Sequence, residues 1–155
     1  MGEGRHLRQE REANSFAIEL LAPEALLRKR LNRPADLENV LAIANELDIS
    51  REAAARRYVA LHGERLAVVF SAGDRVRYVE KGTGFPSTTI WANDTLPPLP
   101  PCPRDGTNLT ALGEVSAPVW LSRPHGATLF LQTLFQADNY AMTLLALGPD
   151  DRVTM

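Results

Sequence analysis

Apolar residues in the first 63 positions recur with a helical period. Between residues 10 and 23 they fall at i, i+3, i+4, i+7 and i+8, which predicts an amphipathic helix that Pro23 stops. Similar patterns predict helices over 23–32, 35–47 and 51–63, the last of them capped by Ser50. The chain therefore begins with four helices joined by short turns. The stripe of the first helix consists of Ala13, Phe16, Ala17, Leu20 and Leu21.

Beyond Gly63 the pattern changes to short apolar runs rich in β-branched and aromatic residues, which predict strands. Turn signals such as "AGD", "RPHG" and "ADN" separate several of these runs. We therefore expect a hairpin at "AGD" and a meander of the last three runs. The predicted strands cover 65–71, 75–80, 87–92, 114–122, 127–136 and 140–147.

A proline tract interrupts the predicted strands. Five prolines lie between Pro97 and Pro103, which excludes a helix or a central strand and predicts an extended, polyproline-like connector over 96–107. The pattern as a whole predicts an α+β protein with two units. Residues 1–63 form a helical unit with a helix-turn-helix-like linker, and residues 64–155 form a small antiparallel, β-rich domain.

Composition narrows the function classes. The 155 residues include 17 basic and 19 acidic side chains, so a formal charge of −2 provides no whole-protein attraction for nucleic acid or anionic lipid. The single cysteine, Cys102, cannot form an intramolecular disulfide, which fits a reducing compartment. No apolar run approaches the length of a membrane span, and "MGEGRHLRQERE" has no signal-peptide core. We expect a cytoplasmic protein.

The first predicted helix carries an unexpected carboxylate. At about 100° per residue, Glu10 falls within roughly 50° of the centre of the apolar stripe, whereas Glu12 falls well outside it. A carboxylate on a core-facing stripe is costly unless it is paired, metal-bound or solvated at a frayed helix end. Asn14 lies one turn further on, where it can brace a neighbouring side chain.

The string "EREANSFAIELLAP" resembles the signature E-x-x-A-N-x-F-A-x-x-L-L-x-P of the ImmA/IrrE family of zinc metallopeptidases. The resemblance implies that Glu10 is the third zinc ligand and that Asn14 lies beside it in the site. The segment "LDISREAAARRYVALHG" is similar to the family's sequence just after the peptidase core, so the resemblance covers about residues 9–63. Ala22 is a minor departure, because the family has methionine there.

The larger departure is that these 155 residues contain no H-E-x-x-H, the motif that supplies two zinc ligands and the general base. His6, His62 and His125 have the spacing of no metal motif and are expected to be exposed or capping residues. We therefore assign no catalytic residue and expect no stable zinc binding by this chain alone. One explanation is that the chain is a truncated or wrongly started gene product, or an expressed fragment, and that the part of the peptidase with the two histidines lies outside it. The other explanation is that the protein has lost that part.

Residues 39–61 have the sequence pattern of a helix-turn-helix, with Arg51, Arg56 and Arg57 on the second helix. The charge balance disfavours DNA binding, since the first 67 residues hold eleven basic and eleven acidic side chains. A packing unit between the peptidase core and the C-terminal domain is the alternative. Some relatives in the resembled family end in a GAF-like sensing domain, so a GAF-like sheet is one interpretation of residues 64–155.

Together these observations predict the C-terminal regulatory or recognition portion of an ImmA/IrrE-type peptidase. The resemblance implies that the complete enzyme cleaves a helix-turn-helix repressor in stress response or mobile-element control. The alternatives are a non-catalytic interaction or ligand-sensing module and, less favoured, a DNA-binding regulator. Because the first helix presents Phe16, Leu20 and Leu21, we also expect a homodimer through that face.

Overall fold

Local capping signals set the limits of the N-terminal helices. In the computed structural model, which describes residues 23–124 and 126–148, the side chain of Asp36 accepts a hydrogen bond from the backbone N–H of Glu38. The hydroxyl of Ser50 accepts one from the N–H of Ala53, as its predicted N-cap role requires. The helices are α1 (Glu24–Leu31), α2 (Leu37–Leu47) and α3 (Arg51–Leu61).

Five antiparallel strands form one sheet, in the order β2-β1-β5-β4-β3. Strand β1 lies inside the sheet and is buried along nearly all of its length, while β2 and the short β3 are the edges. The α+β class predicted from the sequence is therefore confirmed. The remaining elements are β1 (Arg65–Ala72), β2 (Arg75–Lys81), β3 (Gly113–Val115), the one-turn helix α4 (Ala117–Trp120), β4 (Leu129–Phe135) and β5 (Tyr140–Leu147).

The three helices cover one face of the sheet, which we call the helix face. Phe70 of β1 and Leu144 of β5 belong to the same buried cluster as Ile43 of α2 and Tyr58 of α3. Gln132 of β4 fastens this contact: its Oε1 accepts from the Leu37 N–H at 2.7 Å, and its Nε2 donates to the Thr110 carbonyl at 3.1 Å. A buried glutamine with satisfied hydrogen bonds thus joins α2 to the sheet.

The opposite face, which we call the loop face, is covered by the irregular chain between β2 and β4. Trp120 and Leu121 pack there against Val69 of β1 and Leu145 of β5, and Trp120 is 2% exposed. Sheet residues on both faces are thus buried. The division into units 1–63 and 64–155 stays a prediction, and the helix-face cluster extends across its boundary.

Two predicted strands are wrong in part or in whole. Residues 87–92 form no strand, because side chains take the backbone partners: the Thr88 hydroxyl donates to the Ile90 carbonyl, and Asp94 accepts from the Trp91 N–H. Only an isolated bridge joins Thr88 to Leu121. Only the start of the predicted strand 114–122 belongs to β3. The strand ends early because Pro118 lacks an N–H and lies in the first turn of α4.

Candidate functional site

The metal ligands implied by the sequence lie outside the described residues. Glu10 and Asn14, with the apolar stripe of the first predicted helix, precede residue 23, and His6 and His125 are also outside the described ranges. Within residues 23–124 and 126–148, no group of three or more His, Cys, Asp and Glu side chains could hold a metal ion. The assignments of Glu10 and Asn14 remain predictions.

His62, the described histidine, is a structural residue at the end of α3. Its Nδ1 accepts from the Glu64 N–H at 3.0 Å, which leaves Nε2 as the donor to the Arg33 carbonyl, also at 3.0 Å. Its ring packs against Tyr58, with 5.1 Å between ring centroids. Of the two expected roles, exposed or capping, this position agrees with the capping role, and the side chain is buried. Both ring nitrogens are occupied, so His62 is not poised as a metal ligand.

A surface cleft of about 400 Å³ forms where the start of α3 meets β2 and the turn before β5. We call it the Arg77 cleft. Tyr140 is 43% exposed at its rim, and the Arg77 guanidinium lies 5.2 Å from the centre of the Tyr140 ring, within range of a cation–π contact. The lining residues are Arg51, Glu52, Arg77, Gln136, Ala137 and Tyr140.

Glu52 organises the floor of the cleft from the first turn of α3. Both of its carboxylate oxygens accept from the Arg77 guanidinium, at 3.3 and 3.4 Å, and it also accepts a hydrogen bond from the Tyr78 hydroxyl. Burial, followed by the hydrogen bond to Glu52, raises the pKa of Tyr78 well above its usual value. Tyr78 therefore remains a protonated donor at neutral pH, and the cluster suits binding rather than proton abstraction.

A bulge in β2 brings these side chains together. Phe70 is paired with Tyr78 and the next residue, Ser71, with Val76, so Arg77 is an extra residue in the ladder. As a result, Arg77 and Tyr78 both reach Glu52 on the helix face instead of pointing to opposite faces. The bulge is a long-range feature of strand pairing, which is why sequence patterns did not identify this cleft.

The predicted helix-turn-helix arginines have different environments. Arg51 is exposed at the rim of the Arg77 cleft, whereas Arg56 turns toward β2, with its Nε 3.7 Å from a carboxylate oxygen of Glu80. That separation is too long for a hydrogen bond, so Arg56 Nε is a buried donor with only an electrostatic partner. Arg57 is half-buried. The four buried side chains of α3 are Ala54, Ala55, Tyr58 and Val59.

The aromatic residues of the C-terminal part differ widely in burial. Trp120 is core, Phe130 and Phe135 are half-buried, and Trp91 is 69% exposed. Trp91 and Tyr140 therefore lie outside the core. Tyrosine and tryptophan side chains are enriched at interaction surfaces.

Comparison with protein-family models gives no match, and comparison with curated proteins gives no significant match. The resemblance of residues 9–63 to a peptidase family therefore rests on the quoted residues themselves. None of the described helices has the length and apolar character needed to cross a membrane.

Proposed function

We propose that this chain is the C-terminal recognition portion of an ImmA/IrrE-type zinc metallopeptidase that acts on a helix-turn-helix repressor in the cytoplasm. The single observation behind the proposal is the spacing of Glu10, Asn14 and Pro23 within "EREANSFAIELLAP". In this proposal Glu10 ligates zinc and Asn14 braces the site. Both histidine ligands and the general base come from outside these 155 residues, since three protein ligands and a water complete such a site.

The Arg77 cleft is the surface that we assign to the repressor. Arginine and tyrosine carry much of the binding energy in protein interfaces, and the cleft presents Arg51, Arg77 and Tyr140 together. Both helix α3 and the sheet are anchored in the core, so the cleft is a preformed contact surface rather than a flexible loop. Glu52 holds Arg77 at a defined position beside Tyr140.

The proposal is tested first on the gene. Translation of the DNA upstream of Met1 should reveal an in-frame H-E-x-x-H within a few dozen residues. The longer protein should then bind one zinc ion per chain, measured by plasma mass spectrometry. Glu10→Gln should abolish that zinc, while the matched control Glu12→Gln should retain it, because Glu12 lies off the stripe. A stop codon and ribosome-binding site directly before Met1, or zinc retained by Glu10→Gln, would contradict the enzyme proposal.

The alternative, a non-catalytic interaction module, is favoured specifically by the Arg77 cleft, which needs no metal to bind a partner. Repressor binding by the 155-residue chain, lost in Arg51→Glu and Tyr140→Ala and kept in Arg28→Glu on α1, would support this function whatever the zinc result. Binding to DNA with a steep salt dependence would instead support a regulator. That outcome is the least favoured, because α3 packs its buried face on the other elements and turns Arg56 toward Glu80.

The homodimer through Phe16, Leu20 and Leu21 is a separate part of the proposal. Light scattering at high concentration should show a dimer that Phe16→Asp converts to a monomer. A monomeric wild-type chain whose residues 10–22 are strongly protected from hydrogen exchange would argue against it, because the stripe would then be covered within one chain.

A further inference from the structure

The sequence of the proline tract favours an extended conformation. Every residue from 96 to 103 either is a proline, whose ring fixes φ near about −65°, or directly precedes one, which disfavours the α region. No peptide bond in the described chain is cis, and the tract carries no helix or strand assignment. Within the described chain, residues 97–103 make no backbone–backbone hydrogen bond, as expected of a polyproline II helix.

Burial along the tract follows the three-residue period of that helix. Leu96 and Leu99 begin one row and pack against the loop-face cluster, which anchors the first part of the tract, whereas Cys102 at the end of this row is exposed. A second row, Pro97, Pro100 and Pro103, is half-buried, and a third row, Pro98, Pro101 and Arg104, is exposed. The tract is therefore held by one row of side chains and presents a continuous ridge to solvent.

Anchoring does not explain the composition of the exposed ridge. The two leucines already fix the tract on the loop face, and residues facing solvent need not be proline for that purpose. Prolines on the outer row pre-form an extended ridge that loses little conformational entropy when it is bound. Such ridges are the ligands of grooves lined by aromatic side chains.

Arg104 places a positive charge at one end of the ridge. It has no ion-pair partner among the described residues, and the neighbouring Asp105 is engaged by the N–H and hydroxyl of Thr107, at 3.0 and 2.6 Å. At about 3.1 Å per residue, the six steps from Pro98 to Arg104 span about 19 Å. A complementary groove would therefore hold aromatic side chains opposite the prolines and a carboxylate at one end.

We infer that residues 97–104 form a docking ridge for a partner domain with an aromatic-lined groove that is acidic at one end. This proposal does not depend on the peptidase proposal, since it uses neither zinc nor the Arg77 cleft. The partner is a protein domain of the polyproline-binding kind, and it contacts the Pro98–Pro101–Arg104 row.

Two purified polyproline-binding domains, an SH3 domain and a WW domain, serve as probes. Each is isotope-labelled and titrated with the intact chain, and the shifts of its groove resonances are followed by NMR. We expect saturable groove binding by at least one probe. The double variant Pro98→Ala/Pro101→Ala should weaken it at least tenfold, and Arg104→Glu should weaken it and reduce its salt dependence. Controls are Pro34→Ala and Arg28→Glu, which alter an exposed proline and an exposed arginine far along the chain from the tract.

Circular dichroism and thermal melting establish that each variant folds like the wild type. The inference is overturned if neither probe shows saturable groove shifts up to about 1 mM chain, a range that covers weak recognition. It is also overturned if the double proline variant binds as tightly as the wild type. Sedimentation that shows a dimer dependent on Pro98 and Pro101 would overturn it too, because the ridge would then contact a second copy of the chain.

Discussion

The two faces of the sheet are buried by different kinds of chain. On the helix face, three helices, two of them with side-chain N-caps, place apolar side chains such as Ile43 and Tyr58 against Phe70. On the loop face, an irregular segment with a single helical turn places Trp120 and Leu121 against Val69. Both the helices and the irregular segment exclude water from the sheet, but only the helices follow from a periodic pattern in the sequence. The comparison teaches that a core can be completed by chain that has almost no regular structure.

The largest effect should come from breaking the loop face at its biggest side chain. We expect Trp120→Ala to lower the free energy of unfolding by about 3–5 kcal/mol, since it deletes a fully buried aromatic ring. Val119→Ala, at the exposed neighbouring position, should change it by no more than about 0.5 kcal/mol. Urea denaturation measures both. An equally small effect at Trp120 would mean that the loop-face segment is a loose cover rather than core.

On the helix face, Gln132→Leu tests the polar link between α2 and the sheet. We expect the free energy of unfolding to fall by about 2–3 kcal/mol, because the Leu37 N–H and the Thr110 carbonyl lose buried partners. Hydrogen exchange at the start of α2 should increase more than exchange in α4. The matched change Gln136→Leu, one residue beyond β4, should have little effect, and equal losses for the two would contradict the assigned link.

The backbone at Gly82, just after β2, lies close to the backbone of α3 and β1. A Cβ there would clash with the Val59 carbonyl oxygen of α3 and lie 3.0 Å from that of Leu66. We expect Gly82→Ala to cost about 1–3 kcal/mol, as overpacking does. Gly63→Ala is the control, since its Cβ would meet nothing within 4 Å. Thermal melting compares them, and equal melting temperatures would mean that α3 yields easily at this contact.

The smallest effect is a pH dependence of the helix face. Burial raises the pKa of Tyr58 above its usual 10.0, and burial with Glu52 raises that of Tyr78. Both tyrosines ionise more easily in the unfolded chain, so their contribution is complete below pH 10 and is lost as pH rises toward the folded-state pKa values. Urea melts between pH 8 and 11.5 should show falling stability, with a shallower fall in the Tyr58→Phe/Tyr78→Phe variant. Identical slopes would rule this out.

Sequence patterns predicted the helix face well, because its information is local. Ser50 and the helical period placed α3 within two residues of its observed end at Leu61. The same method failed at 87–92, where a run rich in β-branched residues is held by side-chain hydrogen bonds from Thr88 and Asp94 instead of a ladder. Strand propensity reflects how well side chains pack against neighbouring strands of a sheet. Residues 87–92 have no neighbouring strand to pack against.

The two candidate sites also differ in whether the local sequence predicts them. The polyproline ridge follows from neighbouring residues, so the sequence predicted an extended connector at that place. The Arg77 cleft joins side chains from α3, β2 and the start of β5, and it depends on an extra residue in a strand ladder. Nothing in the local pattern around Arg77 marks that extra residue. The predicted zinc ligand Glu10 lies outside the described residues, and zinc stoichiometry remains its test.

The bulge at Arg77 also affects how the gene can change. Deleting that one codon would leave an unbroken alternation in β2, because Phe70 would still pair with Tyr78 and Ser71 with Val76. Tyr78 would keep its stacking on Phe70, at 4.6 Å between ring centroids, and Val76 would stay in the loop-face core. The deletion should therefore remove the Arg77 cleft but preserve the sheet, so the cleft can be lost in one genetic step without loss of the fold.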